Sequence, residues 1–163
     1  MSDFFTFALL AATLRTATPL LFAAMGGLIS ERAGIMNIAL EGMMLMGAFF
    51  SVAGTYWTGT PWIGLLIGIG AAAVAGLIHA FWCITLQGNQ IVAGTAINLI
   101  AAGLTAFLTQ LIWGKAGGSD NVSRLPNVFS GVNILVLVAF ALVPLIHVFL
   151  FRSRAGLRTM SAG

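Results

Sequence analysis

"SERAGIMNIALEGMMLMGAFF", residues 30–50, is the stretch on which the fold turns. Glu31, Arg32, Gly34 and Asn37 make a polar break, and an apolar run follows with Glu41 embedded in it. Read as a helix from Ile35, the run places a carboxylate about two turns inside a membrane-type segment. A chain tolerates that only where the charge has a partner or a task.

The rest of the chain has the same character. Of 163 residues, 60% are hydrophobic and 7% charged, and mean hydropathy is +1.04. A soluble domain carries roughly a quarter charged residues. The apolar residues also fall in runs of about 20, enough to cross a hydrocarbon core about 30 Å thick. These features define an integral membrane protein. The runs are apolar on all sides, which suits helices and excludes the alternating pattern of a β-barrel. The N-terminus has Asp3 where a signal peptide has basic residues, and no small-residue cleavage site follows, so no leader is expected.

Five segments are predicted, spanning about 4–29, 35–57, 62–86, 91–113 and 132–151. They form one transmembrane domain over 1–151, separated by "SERAG", "TGTP", "QGNQ" and "GKAGGSDNVSRLPNVFSG", all rich in turn formers. Placing Arg152, Arg154 and Arg158 in the cytoplasm also puts Arg32 inside, against Lys115 and Arg124 outside, as the positive-inside bias requires. Trp57, Trp62 and Trp113 then fall at outer ends, as an interfacial aromatic belt would place them, and the N-terminus faces outward. The first segment contains Arg15 and Pro19 and is expected as a single span, kinked or broken there.

Segment three carries Gly64, Gly68, Ala72 and Gly76 at four-residue spacing, a smooth ridge for close helix packing. His79 beside it is expected as a hydrogen-bonded packing residue. Cys83, the sole cysteine, is expected as inert core. In segment two Asn37 and Glu41 are four apart and so are expected on one helix face, continued by Met44, Ala48, Ser51 and Thr55. Segment four shows Gly94, Asn98, Ala102, Thr105 and Thr109 in a similar stripe. Two such stripes either line a path for a polar solute or hydrogen-bond to each other, and periodicity alone does not choose. Glu41 is expected near the cytoplasmic interface, paired with Arg32 or accepting from free backbone N–H groups.

Catalytic motifs are missing. "GKAGGSD" lacks the phosphate-loop spacing, His79 and His147 have no HExxH-type partners, and there is no CxxC. No catalytic residue, cofactor or metal site is expected.

Two longer stretches carry a resemblance. "ATPLLFAAMGGLISERAGIMNIALEGMMLMGAFF", residues 17–50, and "GNQIVAGTAINLIAAGLTAFL", residues 88–108, resemble bacterial ABC-transporter inner-membrane permeases of the branched-chain amino acid/ribose type. The similarity is closest to the nucleoside (simple-sugar) branch. It implies half of an inverted-repeat permease that translocates a nucleoside and performs no covalent chemistry. Its implied partners are a second permease subunit, cytoplasmic ATPase subunits and an extracytoplasmic solute-binding protein, in the bacterial inner membrane. It further implies that Asn37, Glu41, Asn89, Gln90, Thr95, Asn98 and Thr105 lie near the solute path or its gate. Residues 152–163 resemble the start of a cytoplasmic coupling loop. The coupling helix and later spans of the family are missing from this sequence, so it is expected to be an amino-terminal fragment inactive alone. Ribose-like sugars are the neighbouring substrate reading, and a non-transport membrane scaffold is the reading from a different class.

Overall fold

The computed structural model describes residues 7–115, 117–129 and 132–162. The elements are helices α1 (Phe7–Arg32), α2 (Leu40–Thr58), α3 (Pro61–Ala80) and α4 (Gln90–Trp113), a short ribbon β1 (Asn127–Phe129) and β2 (Val132–Asn133), and helices α5 (Ile134–Arg152) and α6 (Arg154–Ala162). Four helical stretches are long and apolar enough to cross a membrane: Leu9–Arg32, Pro61–Thr85, Gln90–Trp113 and Ile134–Arg152. Helix α2, with 19 residues, has the length of a fifth, and it carries Glu41 in its first turn and Thr55, Tyr56 and Thr58 in its last. The chain divides into two compact units, one of residues 1–35 with 125–163 and the other of residues 36–124.

In the first unit α1 runs unbroken through Arg15 and Pro19. The part of the expected first span over residues 4–6 lies outside the described residues. Pro19 has no N–H to give to the turn below it. Around it, hydroxyls bond back onto the helix: Thr13 to the Leu9 carbonyl, Thr16 to Ala12 and Thr18 to Leu14, at 2.9, 2.9 and 2.7 Å. The "SERAG" stop is a Schellman motif. Ile35 N–H donates to the Ser30 carbonyl and Gly34 N–H to Glu31, both at 3.0 Å, with Gly34 at φ 79°. Only glycine occupies that left-handed position cheaply. The Arg32 guanidinium then lies over the Phe151 ring, 5.8 Å from its centroid.

The fifth span begins at Ile134, two residues later than expected. Val132 and Asn133 pair antiparallel with Phe129 and Asn127, and the Asn133 side chain then accepts from Leu135 N–H to start α5. The tail over 152–163 carries the nine-residue helix α6. Ser153 makes the corner: its hydroxyl donates to the Phe149 carbonyl at 2.6 Å and accepts from Gly156 N–H at 2.9 Å. Gly156 is pressed against the end of α5, where a Cβ would meet the Phe149 carbonyl and lie 2.6 Å from Leu150 Cα. Ser153→Ala removes this cap and should cost α6 about 1 kcal/mol. Amide exchange of Gly156 and Leu157, faster in the variant with α5 unchanged, is the check.

In the second unit α2 and α3 form a hairpin closed by Gly59, at φ 71°, and by Pro61 at the first position of α3. The glycine ridge of α3 lies along α2. A Cβ on Gly68 would sit 2.6 Å from the Gly47 carbonyl and 2.7 Å from Ser51 Cβ. One on Gly64 would collide with the Thr55 hydroxyl and come within 2.8 Å of Thr55 N. Gly54 faces Ile67, and Ala72 Cβ lies 3.4 Å from the position of a Cβ on Gly47. Small residues on both helices therefore bring the backbones together, the way helices associate where lipid offers no hydrophobic drive.

Helix α3 ends in a π turn, Phe81–Thr85, then Gln87 at φ 49° and Gly88 under the Trp82 indole. At the far ends of α2 and α4, Phe49, Ala53 and Trp113 form a buried cluster backed by Phe50, Val52, Leu108 and Ile112. Trp57 and Trp62 are exposed, as belt residues are, but Trp113 is not. Its ring packs edge-on against Phe49 and Tyr56 at 6.0 and 5.7 Å between centroids. Its indole N–H has no partner among the described residues.

Candidate functional site

The polar residues of the two signature stretches converge where α2 and α4 begin, and the chemistry there is that of amides bonding to backbone. Helix α2 starts at Leu40, not Ile35, and this corrects the expectation that Asn37 and Glu41 share a helix face. Asn37 lies in the turn before the helix, where its Oδ1 accepts from Ala39 N–H at 3.2 Å. Asparagine readily bonds to the backbone two residues on, offering the chain a turn in place of a helix. Its Nδ2 lies 3.9 Å from Met43 Sδ.

Asn89 caps α4, its Oδ1 accepting from Ile91 and Val92 N–H at 2.9 and 3.3 Å. Gln90 reaches across to the other turn, where its Oε1 accepts from Met36 N–H at 2.7 Å. About two turns further, Asn98 uses both ends of its amide. Oδ1 accepts from Gly42 N–H at 2.7 Å, and Nδ2 donates to the Ile38 carbonyl at 3.0 Å. Glycines make this approach possible. A Cβ on Gly42 would sit 2.8 Å from Asn98 Oδ1, and one on Gly94 would sit 2.8 Å from Ile38 Cβ.

The threonines of α4 bond within their own helix. Buried Thr105 donates to the Ala101 carbonyl at 2.7 Å, Thr109 to Thr105 at 2.6 Å, and exposed Thr95 to Ile91 at 2.9 Å. On α2 the expected stripe splits. Ser51 and Thr55 turn to α3, while Glu41, Met44 and Ala48 stay exposed. The helical repeat drifts across successive steps of three and four, so one sequence stripe supplies two faces.

Among the described residues of its unit Glu41 has no side-chain hydrogen bond or ion pair, and it stands in the first turn of α2, where the helix dipole favours an anion. His79 and Cys83 are buried, with the thiol 3.7 Å from the His79 ring nitrogen Nε2. No group of three or more metal-ligating side chains occurs among the described residues. Sequence reading passed over Gly42, Met36 and Ile38, whose backbone groups complete the cluster. Its only local signal was a glycine directly after Glu41.

The match to known proteins follows this architecture. Residues 9–163 match the family described as the permease component of the branched-chain amino acid transport system, and the chain belongs to that family. It is thus a multi-pass membrane protein of a permease family. It is 38% identical, over 93% of its length, to the guanosine ABC transporter permease protein NupQ of Bacillus subtilis. It is 35% identical over 90% to the nucleoside ABC transporter permease protein NupC of Lactococcus lactis. Identity to the putative glucose ABC transporter permease protein TsgC13 of Haloferax volcanii is 34% over 98%. The chain spans about half the length of these relatives, 54, 53 and 52% respectively. No solved structure matches it.

Proposed function

We propose that this chain forms part of the membrane passage of a nucleoside importer driven by a separate ATPase. The observation that carries this reading is the family match over residues 9–163, with two relatives named for guanosine and nucleoside transport. An importer of this type works with a second permease subunit, cytoplasmic ATPase subunits and an extracytoplasmic binding protein. The basic residues Arg32, Arg152, Arg154 and Arg158 support a cytoplasmic C-terminus, with the N-terminus outside.

Within the passage, the signature residues divide by what their polar atoms already do. Asn37, Gln90, Asn98 and Thr105 are occupied in holding backbone. Asn89 and Thr95 are exposed but also bond backbone, Asn89 through Oδ1 and Thr95 through its hydroxyl, which leaves exposed Glu41 as the member free, among the described residues, to meet a solute or a gating partner. A nucleoside presents ribose hydroxyls and base edges, which amide, hydroxyl and carboxylate groups can match.

The test is uptake of radiolabelled guanosine into proteoliposomes containing the chain extended through the second half of a family permease, with its ATPase and binding protein. ATP-dependent uptake, competed by unlabelled nucleosides and not by glucose or ribose, is the expected result. The Haloferax relative makes sugar transport the second reading, and competition by glucose alone would establish it in place of the first.

A further inference from the structure

We infer that Asn98 is a positioning residue that clamps the start of α2 onto α4, so that Glu41 is held at a fixed place on α4 by a joint that stays closed. The inference rests on the geometry of residues 36–98 and not on the identity of the solute. Asn98 spans the peptide segment on either side of Glu41, taking the Ile38 carbonyl before it and Gly42 N–H after it. Both hydrogen-bonding ends of the amide face backbone, so no other side chain of similar size reproduces the pattern. Gln90 adds a third bond to the same segment at Met36.

Opening the joint would forfeit both Asn98 bonds, and Gly42 N–H and the Ile38 carbonyl, four residues apart, would regain a partner only by winding the segment before Leu40 into α2. Each unpaired buried group costs about 1–3 kcal/mol. A Cβ on Gly42 would meet Asn98 Oδ1, Asn98 Cα and the Ile97 carbonyl, and one on Gly94 would meet Ile38 Cβ and the Ile38–Ala39 backbone, so the clamping amide is the one polar side chain among these close contacts. Hinge motion in this unit is therefore placed elsewhere than at the α2–α4 start. The π turn with Gln87 at positive φ lies outside the clamp.

Asn98→Asp separates the clamp from general packing, because it changes one atom and makes the joint titratable. A carboxylate still accepts from Gly42 but meets the Ile38 carbonyl with a second acceptor. The protonated acid restores the donor. Of the titratable groups on the elements packed here, α2 carries Glu41 and Tyr56, and α3 with its π turn carries His79 and Cys83. Helix α4 has none. The wild-type chain carries all four and controls for their titration.

The experiment is amide exchange of Gly42 on the lipid-reconstituted chain, with spin-label distances between Met44→Cys and Leu99→Cys, both exposed positions. Wild type should show a protected Gly42 amide and a single narrow distance. Asn98→Ala should lower Gly42 protection about tenfold, the loss expected for one hydrogen bond near the upper end of the usual range, and broaden the distance distribution. Asn98→Asp should match it at neutral pH and recover as the acid is protonated on lowering the pH, over a range in which wild type does not change. Should Asn98→Ala fail to fold, the Asn98→Asp pair of conditions decides alone. Unchanged Gly42 protection in both variants, or two distances in wild type, would overturn the clamp while leaving the transport reading untouched.

Discussion

Gly64→Val should lower the stability of the second unit by about 3 kcal/mol, near the upper end for overpacking a tight interface. For a chain of this size that is roughly a 10 °C drop in unfolding temperature. The added Cβ alone would collide with the Thr55 hydroxyl and lie 2.5 Å from the Ser51 carbonyl and 2.8 Å from Thr55 N. Two of those three neighbours are backbone, so no rotamer change relieves the clash. The helices must separate, and separation forfeits the contacts at Gly68–Gly47 and Gly54–Ile67 as well. Gly70→Val on the same helix is the control. Nothing lies within 4 Å of a Cβ there, so its effect should stay within about 0.5 kcal/mol. Thermal unfolding in detergent, followed by circular dichroism, reads both. Equal effects would mean that the ridge is not the seam holding α2 to α3.

That seam was legible in the sequence because packing of this kind writes itself in a local period. Gly64, Gly68, Ala72 and Gly76 recur every four residues, and few other structures require that spacing. The turns were legible for a similar reason, since Gly34 and Gly59 occupy backbone angles that favour glycine. The site was harder to read. Asn37 satisfies the helical period and the Asx turn equally well, and the choice between them depends on where α2 can begin against α4. The partners of Asn98 lie 56 and 60 residues away, beyond any local pattern. Gly42 reads as one more small residue in an apolar run, although a methyl group there would strike the clamp. Ser153 was read as part of a basic tail because its capping role depends on Phe149 and Gly156 meeting around a corner. Trp113 was placed in an aromatic belt by its position at a helix end, and the Phe49–Tyr56 pair that buries it is invisible to hydropathy.

Glu41→Gln should reduce nucleoside uptake by about tenfold or more, equivalent to about 1.4 kcal/mol, while leaving the fold in place. The two effects separate because of where the carboxylate stands. It is exposed and, among the described residues of its unit, makes no side-chain hydrogen bond or ion pair, so its loss breaks no polar contact seen there. The remaining local cost is its interaction with the α2 dipole, about 0.3–1 kcal/mol. Glutamine keeps the length, shape and acceptor oxygen and removes only the charge. A carboxylate within a membrane-type helix is expensive to keep. Asn98 and Gln90 fasten the flanking backbone so that it is presented at one place. Uptake and thermal unfolding should therefore be measured on the same reconstituted preparation. A large fall in uptake with unfolding shifted by only a few degrees would identify Glu41 as a charge the transport cycle uses. A parallel fall in both would make it a structural anion whose partner lies outside its own unit. Unchanged uptake would reduce it to a favourable helix start, and exposed Asn89 and Thr95 would then be the residues to test along the passage.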